Sequence, residues 1–171
     1  MKALLVHRRA VSLIAGLCCF ALLGYAYYAQ FQLGLEPCPL CIFERIAIFA
    51  LGIALLLAAL PVERQLTLRR LAAVLVLIVG LAGIGVATRH VYIQSLPPGQ
   101  VPVCGATLDY MYEVFPLLDV LRKVLTGSGE CAKVDWTFLG LAMPAWVLLW
   151  AVGLTALGFA IHWRRGAAAV R

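Results

Sequence analysis

The sequence predicts an all-α membrane protein, a bundle of four transmembrane helices that forms one domain over residues 1–171. Composition is the first observation: 64% of the residues are hydrophobic and 13% are charged, whereas soluble domains are about half apolar and about a quarter charged. The second observation is a set of four long segments that carry no charged side chain. The third is an uneven distribution of basic residues between the two sides that these segments would define.

The uncharged segments are long enough to cross a bilayer, which takes about 20 mostly apolar residues. We predict spans at roughly residues 11–31, 46–62, 71–89 and 143–163. Pro144 suits the first turn of a helix, so the last span is expected to begin near Met143 and residues 136–142 to lie on the surface. Basic residues precede the first segment, as in a signal peptide. However, its 21 residues are too long for the hydrophobic region of a typical signal peptide, and no clear cleavage site follows. We interpret it as a retained span.

Four spans place both chain ends on one side of the membrane. Nine Lys and Arg residues fall on that side and five on the other. Because basic residues accumulate in cytoplasmic loops, both termini are predicted to be cytoplasmic. The outer side then carries a short loop at roughly residues 32–45 and a long loop at roughly residues 90–142. The long loop is predicted to contain an amphipathic helix over residues 107–125, broken near Pro116 and lying on the membrane.

Six cysteines divide between the first span and the two outer loops. Cys18 and Cys19 lie in the middle of the span and are interpreted as inert apolar filler. The other four lie in pairs, Cys38 with Cys41 in the short loop and Cys104 with Cys131 in the long loop. An even number of cysteines in an oxidising compartment predicts disulfides, for which three pairings are possible. Pairing within each loop needs no movement between loops.

The chemistry of these cysteines has three interpretations. The C-x-x-C of Cys38 and Cys41 favours redox exchange, because the second thiol can attack a mixed disulfide made by the first. A structural bridge is a fair alternative for Cys104–Cys131, which could stabilise its loop by roughly 3–4 kcal/mol. A zinc site of four cysteines ranks below both, because the loops would have to converge with every thiol reduced on an oxidising face. No metal is therefore expected.

Charged and polar neighbours of Cys41 are candidates for the same site. If a helix starts near Cys41, Arg45 lies one turn further along the same face. A guanidinium and a helix N-terminus both stabilise a thiolate, although Arg45 could instead be a snorkelling interfacial residue. His90, predicted to follow the third span, could donate a hydrogen bond or move a proton, but a merely structural role is the commoner case. Glu44 is expected to face water.

The two loops also suggest a direction of exchange. Cys104 follows a proline-rich stretch and can reach a soluble protein, whereas Cys38 and Cys41 lie at the membrane and can reach an oxidant dissolved in lipid. The net charge of +6 does not indicate nucleic-acid binding, because no basic, aromatic-rich loop accompanies it.

Several segments together resemble the DsbB family of bacterial disulfide bond formation proteins. They are Pro37-Cys38-Pro39-Leu40-Cys41-Ile42-Phe43-Glu44-Arg45, Gly129-Glu130-Cys131-Ala132, Trp136, Phe138-Leu139-Gly140-Leu141 and Met143-Pro144 with Trp146. The resemblance implies an inner-membrane enzyme with periplasmic redox loops, whose partner is a thioredoxin-fold oxidant of the DsbA type.

The resemblance also implies the roles of the candidate residues. The partner would attack Cys104, the released Cys131 would attack Cys38, and Cys41 would face a quinone, ubiquinone or menaquinone, in a charge-transfer state stabilised by Arg45. Redox disulfides Cys38–Cys41 and Cys104–Cys131 are therefore expected, with Arg45 and His90 as quinone-binding candidates. Two other functions stay open: a membrane scaffold with purely structural disulfides, and a relative that runs in reverse and reduces outer disulfides.

Overall fold

A computed structural model describes residues 2–60, 66–97, 100, 113 and 116–163 of the chain. In chain order its elements are α1 (Lys2–Leu33), α2 (Pro39–Ala58), α3 (Leu66–Gln94), α4 (Leu117–Thr126), a 3₁₀ turn (Gly129–Ala132), β1 (Thr137–Phe138), β2 (Leu141–Ala142) and α5 (Met143–Trp163). The two strands pair antiparallel as a small hairpin. Cys104 and residues 107–112 lie outside the described residues.

Four of the described helices are long and apolar enough to cross a membrane: α1, α2, α3 and α5. Only 28–39% of the apolar window in each helix is buried inside the protein. A soluble protein could not leave so much apolar helix surface uncovered, so lipid must cover it. The predicted four-helix membrane bundle is confirmed.

The helix ends differ from the uncharged segments in ways that matter for the site. Helix α2 begins at Pro39 and ends at Ala58, so the C-x-x-C lies at its N-terminus. Helix α3 continues to Gln94, which places His90 inside a helix and not in the long loop. A helix can continue past its uncharged segment when the charged and polar side chains that follow find hydrogen-bond partners inside the protein. Helix α5 begins at Met143, as Pro144 indicated.

Small residues allow close packing of α3 against α5. A Cβ atom placed on Gly80 of α3 would overlap the side chain of Thr155 on α5. A Cβ atom on Gly158 of α5 would come within 2.9 Å of Val76 on α3. Glycine at these positions lets the two helix backbones approach closely. Small residues commonly have this role between membrane helices, because lipid provides no hydrophobic driving force for helix association.

We therefore expect Gly80→Ala to destabilise the bundle by about 1–3 kcal/mol, the usual cost of overpacking a well-packed interface. The measurement is the free energy of unfolding in detergent by denaturant titration. Gly85→Ala is the matched control, since nothing lies within 4 Å of a Cβ atom at Gly85 on the same helix. Equal stability of the two variants would contradict the close α3–α5 contact.

Helix α4 docks on the ends of α2 and α3 that lie nearest Cys38. Its buried residues Val120 and Val124, one turn apart, join a cluster with Leu40 of α2 and Ile93 of α3. Leu118, Leu121 and Leu125 of α4 are exposed. Part of the apolar surface of α4 therefore packs on the protein, and the helix begins directly after Pro116, where the sequence indicated a break.

The turn after α4 directs the chain to the cysteines. Gly127 has a φ of 86°, a conformation that disfavours residues with a Cβ atom. A Cβ atom there would also overlap the side chain of Ile93. The 3₁₀ turn that follows places Cys131 in the same cluster as Cys38.

Candidate functional site

The C-x-x-C spacing matches the start of a helix. Cys38 is the N-cap of α2, with extended backbone, and its Sγ accepts a hydrogen bond from the backbone N–H of Cys41 at 3.4 Å. Pro39 occupies the first helical position, where its missing N–H costs nothing. The two sulfurs are therefore brought together by local backbone geometry, and both lie at the positive end of the α2 dipole.

Cys38 lies between two other sulfurs. Cys38 Sγ lies 3.3 Å from Cys41 Sγ, within hydrogen-bond distance. The two sulfurs are not bonded to each other in this structure. Cys131 Sγ lies within 4.8 Å of Cys38 Sγ. The 3₁₀ turn of the long loop thus meets the short loop at Cys38, and Cys104, the predicted disulfide partner of Cys131, lies outside the described residues.

The contact between Cys38 and Cys131 shifts the pKa values of the two thiols in opposite directions. A hydrogen bond from the Cys38 thiol lowers the pKa of Cys131 to about 5, against the effect of burial. Backbone hydrogen bonds from Ser128 and Leu40 act in the same direction. The same thiol–thiol hydrogen bond raises the pKa of Cys38, as does burial. These contacts favour the thiolate at Cys131 and the proton at Cys38.

A buried histidine–carboxylate pair lies beside these sulfurs. His90 Nδ1 lies 2.9 Å from Glu44 Oε1, and the two residues are only 1% and 4% exposed. His90 Nε2 lies 3.1 Å from the carbonyl oxygen of Cys131 and 3.7 Å from Cys38 Sγ. Since a carbonyl oxygen only accepts, Nε2 carries a hydrogen, and the bond between Nδ1 and Glu44 holds a further shared proton.

The expectation that Glu44 faces water is wrong. On helix α2 it lies three residues after Cys41, and both side chains face His90 of α3. A carboxylate is rarely buried unless it is paired, and the partner lies 46 residues away in the chain. No local pattern in the sequence could have located that partner.

Arg45 is held by helix α1. Its guanidinium donates to the side-chain oxygen of Gln30 and, at 3.1 Å, to the carbonyl oxygen of Ala26. It also lies 5.0 Å above the ring of Tyr27. These contacts fix the positive charge at the boundary of α1 and α2, on the same wall as Cys41.

An apolar cavity of about 520 Å³ opens beside Cys41 and Arg45. Its volume lies within the range of roughly 300–1,000 Å³ typical of small-molecule sites. Aromatic residues contribute much of the wall: Tyr25, Trp136, Phe138, Trp146 and Trp150. Most of the cavity surface is apolar, and both cysteines of the C-x-x-C line it, as expected for a site that binds an apolar molecule with a reactive end.

The β-hairpin forms part of this cavity. Trp136 packs edge-on against Tyr25 of α1, with ring centroids 5.9 Å apart. Trp146 of α5 donates from Nε1 to the carbonyl oxygen of Phe138 at 3.0 Å. The hairpin therefore connects α1 to α5 across the cavity. Tyr25, Trp136 and Trp146 all line the cavity.

Comparison with known proteins decides the family. The sequence model of the disulfide bond formation protein DsbB matches residues 8–161. The chain belongs to the DsbB family.

Relatives named disulfide bond formation protein B match nearly end to end. The protein of Methylococcus capsulatus is 48% identical over 155 residues, which cover 91% of this chain and 94% of the relative. The protein of Xanthomonas axonopodis pv. citri is 47% identical over 146 residues, 85% of each chain. The protein of Xylella fastidiosa is 41% identical over 164 residues, 96% of this chain and 95% of the relative. As a DsbB family member, this chain is a multi-pass membrane protein and a disulfide-forming oxidoreductase with a disulfide-exchange partner.

Within this DsbB family member, the structure brings together five of the predicted site residues: Cys38, Cys41, Cys131, Arg45 and His90. Cys38, Cys131 and His90 form one group, and Cys41 and Arg45 lie at the cavity wall. Cys18 and Cys19 lie apart from them, and Cys19 is fully buried in the bundle core.

Proposed function

We propose that this chain is a thiol oxidase of the bacterial inner membrane. It reoxidises a periplasmic dithiol protein of the DsbA type and passes two electrons to a membrane quinone, ubiquinone or menaquinone. One observation carries the proposal: the Cys38 sulfur is adjacent both to Cys131 of the long loop and to Cys41 at the apolar cavity. Electrons can pass between the loops only where such sulfurs meet.

The first stage of the proposed relay is thiol–disulfide exchange. A thiolate of the reduced partner attacks Cys104 of the Cys104–Cys131 disulfide, and Cys131 leaves as a thiolate. Cys131 then attacks Cys38 of the Cys38–Cys41 disulfide, and Cys41 leaves. The second partner thiolate releases the partner as a disulfide and frees Cys104. Cys104 then attacks Cys131 of the Cys38–Cys131 disulfide, Cys38 leaves as a thiolate, and the Cys104–Cys131 bond is restored. Each exchange breaks one S–S bond and forms one.

The net result of that stage is one disulfide in the partner and a Cys38–Cys41 dithiol. In the second stage the dithiol loses two electrons and two protons and its disulfide reforms, while the quinone, as second substrate, becomes a quinol. Cys131 leaves its disulfide as a thiolate, and backbone hydrogen bonds from Ser128 and Leu40 favour that anion. It therefore suits the attack on Cys38, because a thiolate is the nucleophile in such exchange. The N-terminus of α2 and Arg45 supply positive potential where Cys41 must leave as an anion.

His90 and Glu44 hold Cys131 in position beside Cys38. The Nε2–H of His90 donates to the backbone of Cys131, which fixes the 3₁₀ turn against Cys38. Glu44 holds the opposite side of the imidazole ring. Together they set the distance between the two sulfurs that must exchange, and small errors in such distances are costly for reaction rate.

The apolar cavity suits a quinone substrate. Its wall is largely hydrophobic and aromatic, with Arg45 and Cys41 at one side, so a flat apolar ring with carbonyl oxygens would find both packing and a cation. The distribution of basic residues orients the cysteines toward the periplasm. That orientation agrees with the oxidising compartment that disulfides require.

The test is turnover with purified full-length protein in detergent. Reduced DsbA-type protein and a water-soluble ubiquinone analogue are added, and quinone absorbance and partner thiols are followed together. We expect one quinone reduced per partner disulfide formed, at a rate proportional to protein concentration. Partner oxidation without quinone consumption would contradict the proposal, and so would quinol-driven reduction of oxidised partner as the only reaction.

A further inference from the structure

We propose that the reduced protein binds one thiophilic divalent metal ion of the Zn²⁺ class through Cys38, Cys131 and His90. The site would exist only while the Cys38–Cys41 and Cys104–Cys131 pairs are both reduced, because either disulfide removes a ligand. Such an ion would hold the enzyme in an inactive state, a consequence that rests on the proposed function, whereas binding itself does not.

The three ligand atoms already lie at near-coordinating separations. The two Sγ atoms and a ring nitrogen of His90 lie within 4.8 Å of one another, and Cys38 Sγ is 3.7 Å from His90 Nε2. Zinc bonds of about 2.3 Å to sulfur and about 2.0–2.1 Å to nitrogen, at tetrahedral angles, place S and N about 3.6 Å apart. An ion could therefore enter with little movement of Cys38 or His90.

The surroundings of His90 also match a metal site. A metal-ligating histidine usually directs its other nitrogen to a carboxylate, which fixes the ring orientation. Glu44 takes that position at Nδ1, so Nε2 faces the sulfurs. All three proposed ligands are buried. Ligand atoms of Cys41, Glu44 and His90 form a second such group, so Cys41, 3.3 Å from Cys38, is available for the fourth position.

The donor set determines which ions the site would take. Two sulfurs and one imidazole nitrogen favour soft or borderline ions such as Zn²⁺ and Cd²⁺ over Mg²⁺ or Ca²⁺. The ion replaces the Cys38 thiol proton and the Nε2 hydrogen of His90, while Cys131 ligates as a thiolate, so two protons are released and no electron moves. Formation of the Cys38–Cys41 disulfide removes the Cys38 thiolate and with it the site.

This site differs from the four-cysteine zinc centre that the sequence raised as an alternative. It includes His90 and does not require Cys104. It is also not a permanent structural centre, because it competes with the oxidised state. While an ion is bound, the Cys38 and Cys131 sulfurs are both coordinated, so neither can take part in exchange.

The experiment uses full-length protein in detergent, reduced and then freed of reductant, without quinone or partner. Cd²⁺ is titrated, and the thiolate-to-cadmium absorption band and bound metal per chain are measured. We expect one ion per chain in the reduced wild type and none after oxidation of the cysteines. Cys131→Ser should lose binding, and Glu44→Gln should weaken it about 10–100-fold, as is usual for a residue that orients a ligand.

Two matched variants locate the site. Cys104→Ser and Cys18→Ala should both bind one ion with wild-type affinity, because neither cysteine is among the proposed ligands. Circular dichroism of each variant verifies that the helices are intact. Full binding by Cys131→Ser, or loss of binding in Cys104→Ser, would overturn the proposal. Because the titration contains neither substrate, a negative result leaves the oxidase proposal untouched, and failure of the oxidase assay leaves the metal site untouched.

Discussion

Cys41→Ser is expected to abolish turnover with quinone and a DsbA-type partner, to the rate of the protein-free control. A serine hydroxyl cannot form the disulfide that must be regenerated at the cavity, so electrons that reach Cys38 cannot leave. Serine differs from cysteine by one atom, and the fold is expected to tolerate it. The measurement is quinone absorbance against time with the reduced partner present.

A matched control separates this effect from the loss of any thiol. Cys18→Ala removes a half-buried cysteine of α1 that packs against the bundle core, and it should retain full turnover. Cys41→Ser should still form a mixed disulfide with the partner through its intact long loop, detectable on a non-reducing gel. Substantial quinone reduction by Cys41→Ser would rule out Cys41 as the sulfur that faces the quinone.

Glu44→Ala is expected to cost about 3–5 kcal/mol in the free energy of unfolding, which is the usual loss when one partner of a buried ion pair is removed. The reason is that His90, 1% exposed, would keep a buried polar ring nitrogen without its partner. Denaturant unfolding in detergent, with the cysteines kept reduced, measures the effect.

Two comparisons show whether pairing is the cause. Glu44→Gln leaves an oxygen that can accept from Nδ1 and should cost much less than Glu44→Ala. The double variant Glu44→Ala with His90→Ala should be less destabilised than the sum of the two single variants, because neither group is then left without its partner. Additive losses would contradict a direct interaction between the two side chains.

The sequence predicts the spans because the bilayer imposes a simple rule. An uncharged segment of about 20 residues has few alternatives to a transmembrane helix. The start of α5 was also predictable, because Pro144 suits the first turn of a helix. The end of α3 was not, since His90 and Gln94 extend the helix only by making contacts with Glu44, Cys131 and the backbone of Lys133.

The sequence by itself determined that four helices cross a membrane and that a C-x-x-C with an arginine lies at its surface. Spacing along one chain segment sets those features, because a helix start brings residues three and four apart together. Only the tertiary structure decided that Glu44 is buried against His90, that Cys131 meets Cys38, and that the hairpin forms part of the cavity wall. These contacts join distant segments, and distances between distant segments depend on packing that no local pattern encodes.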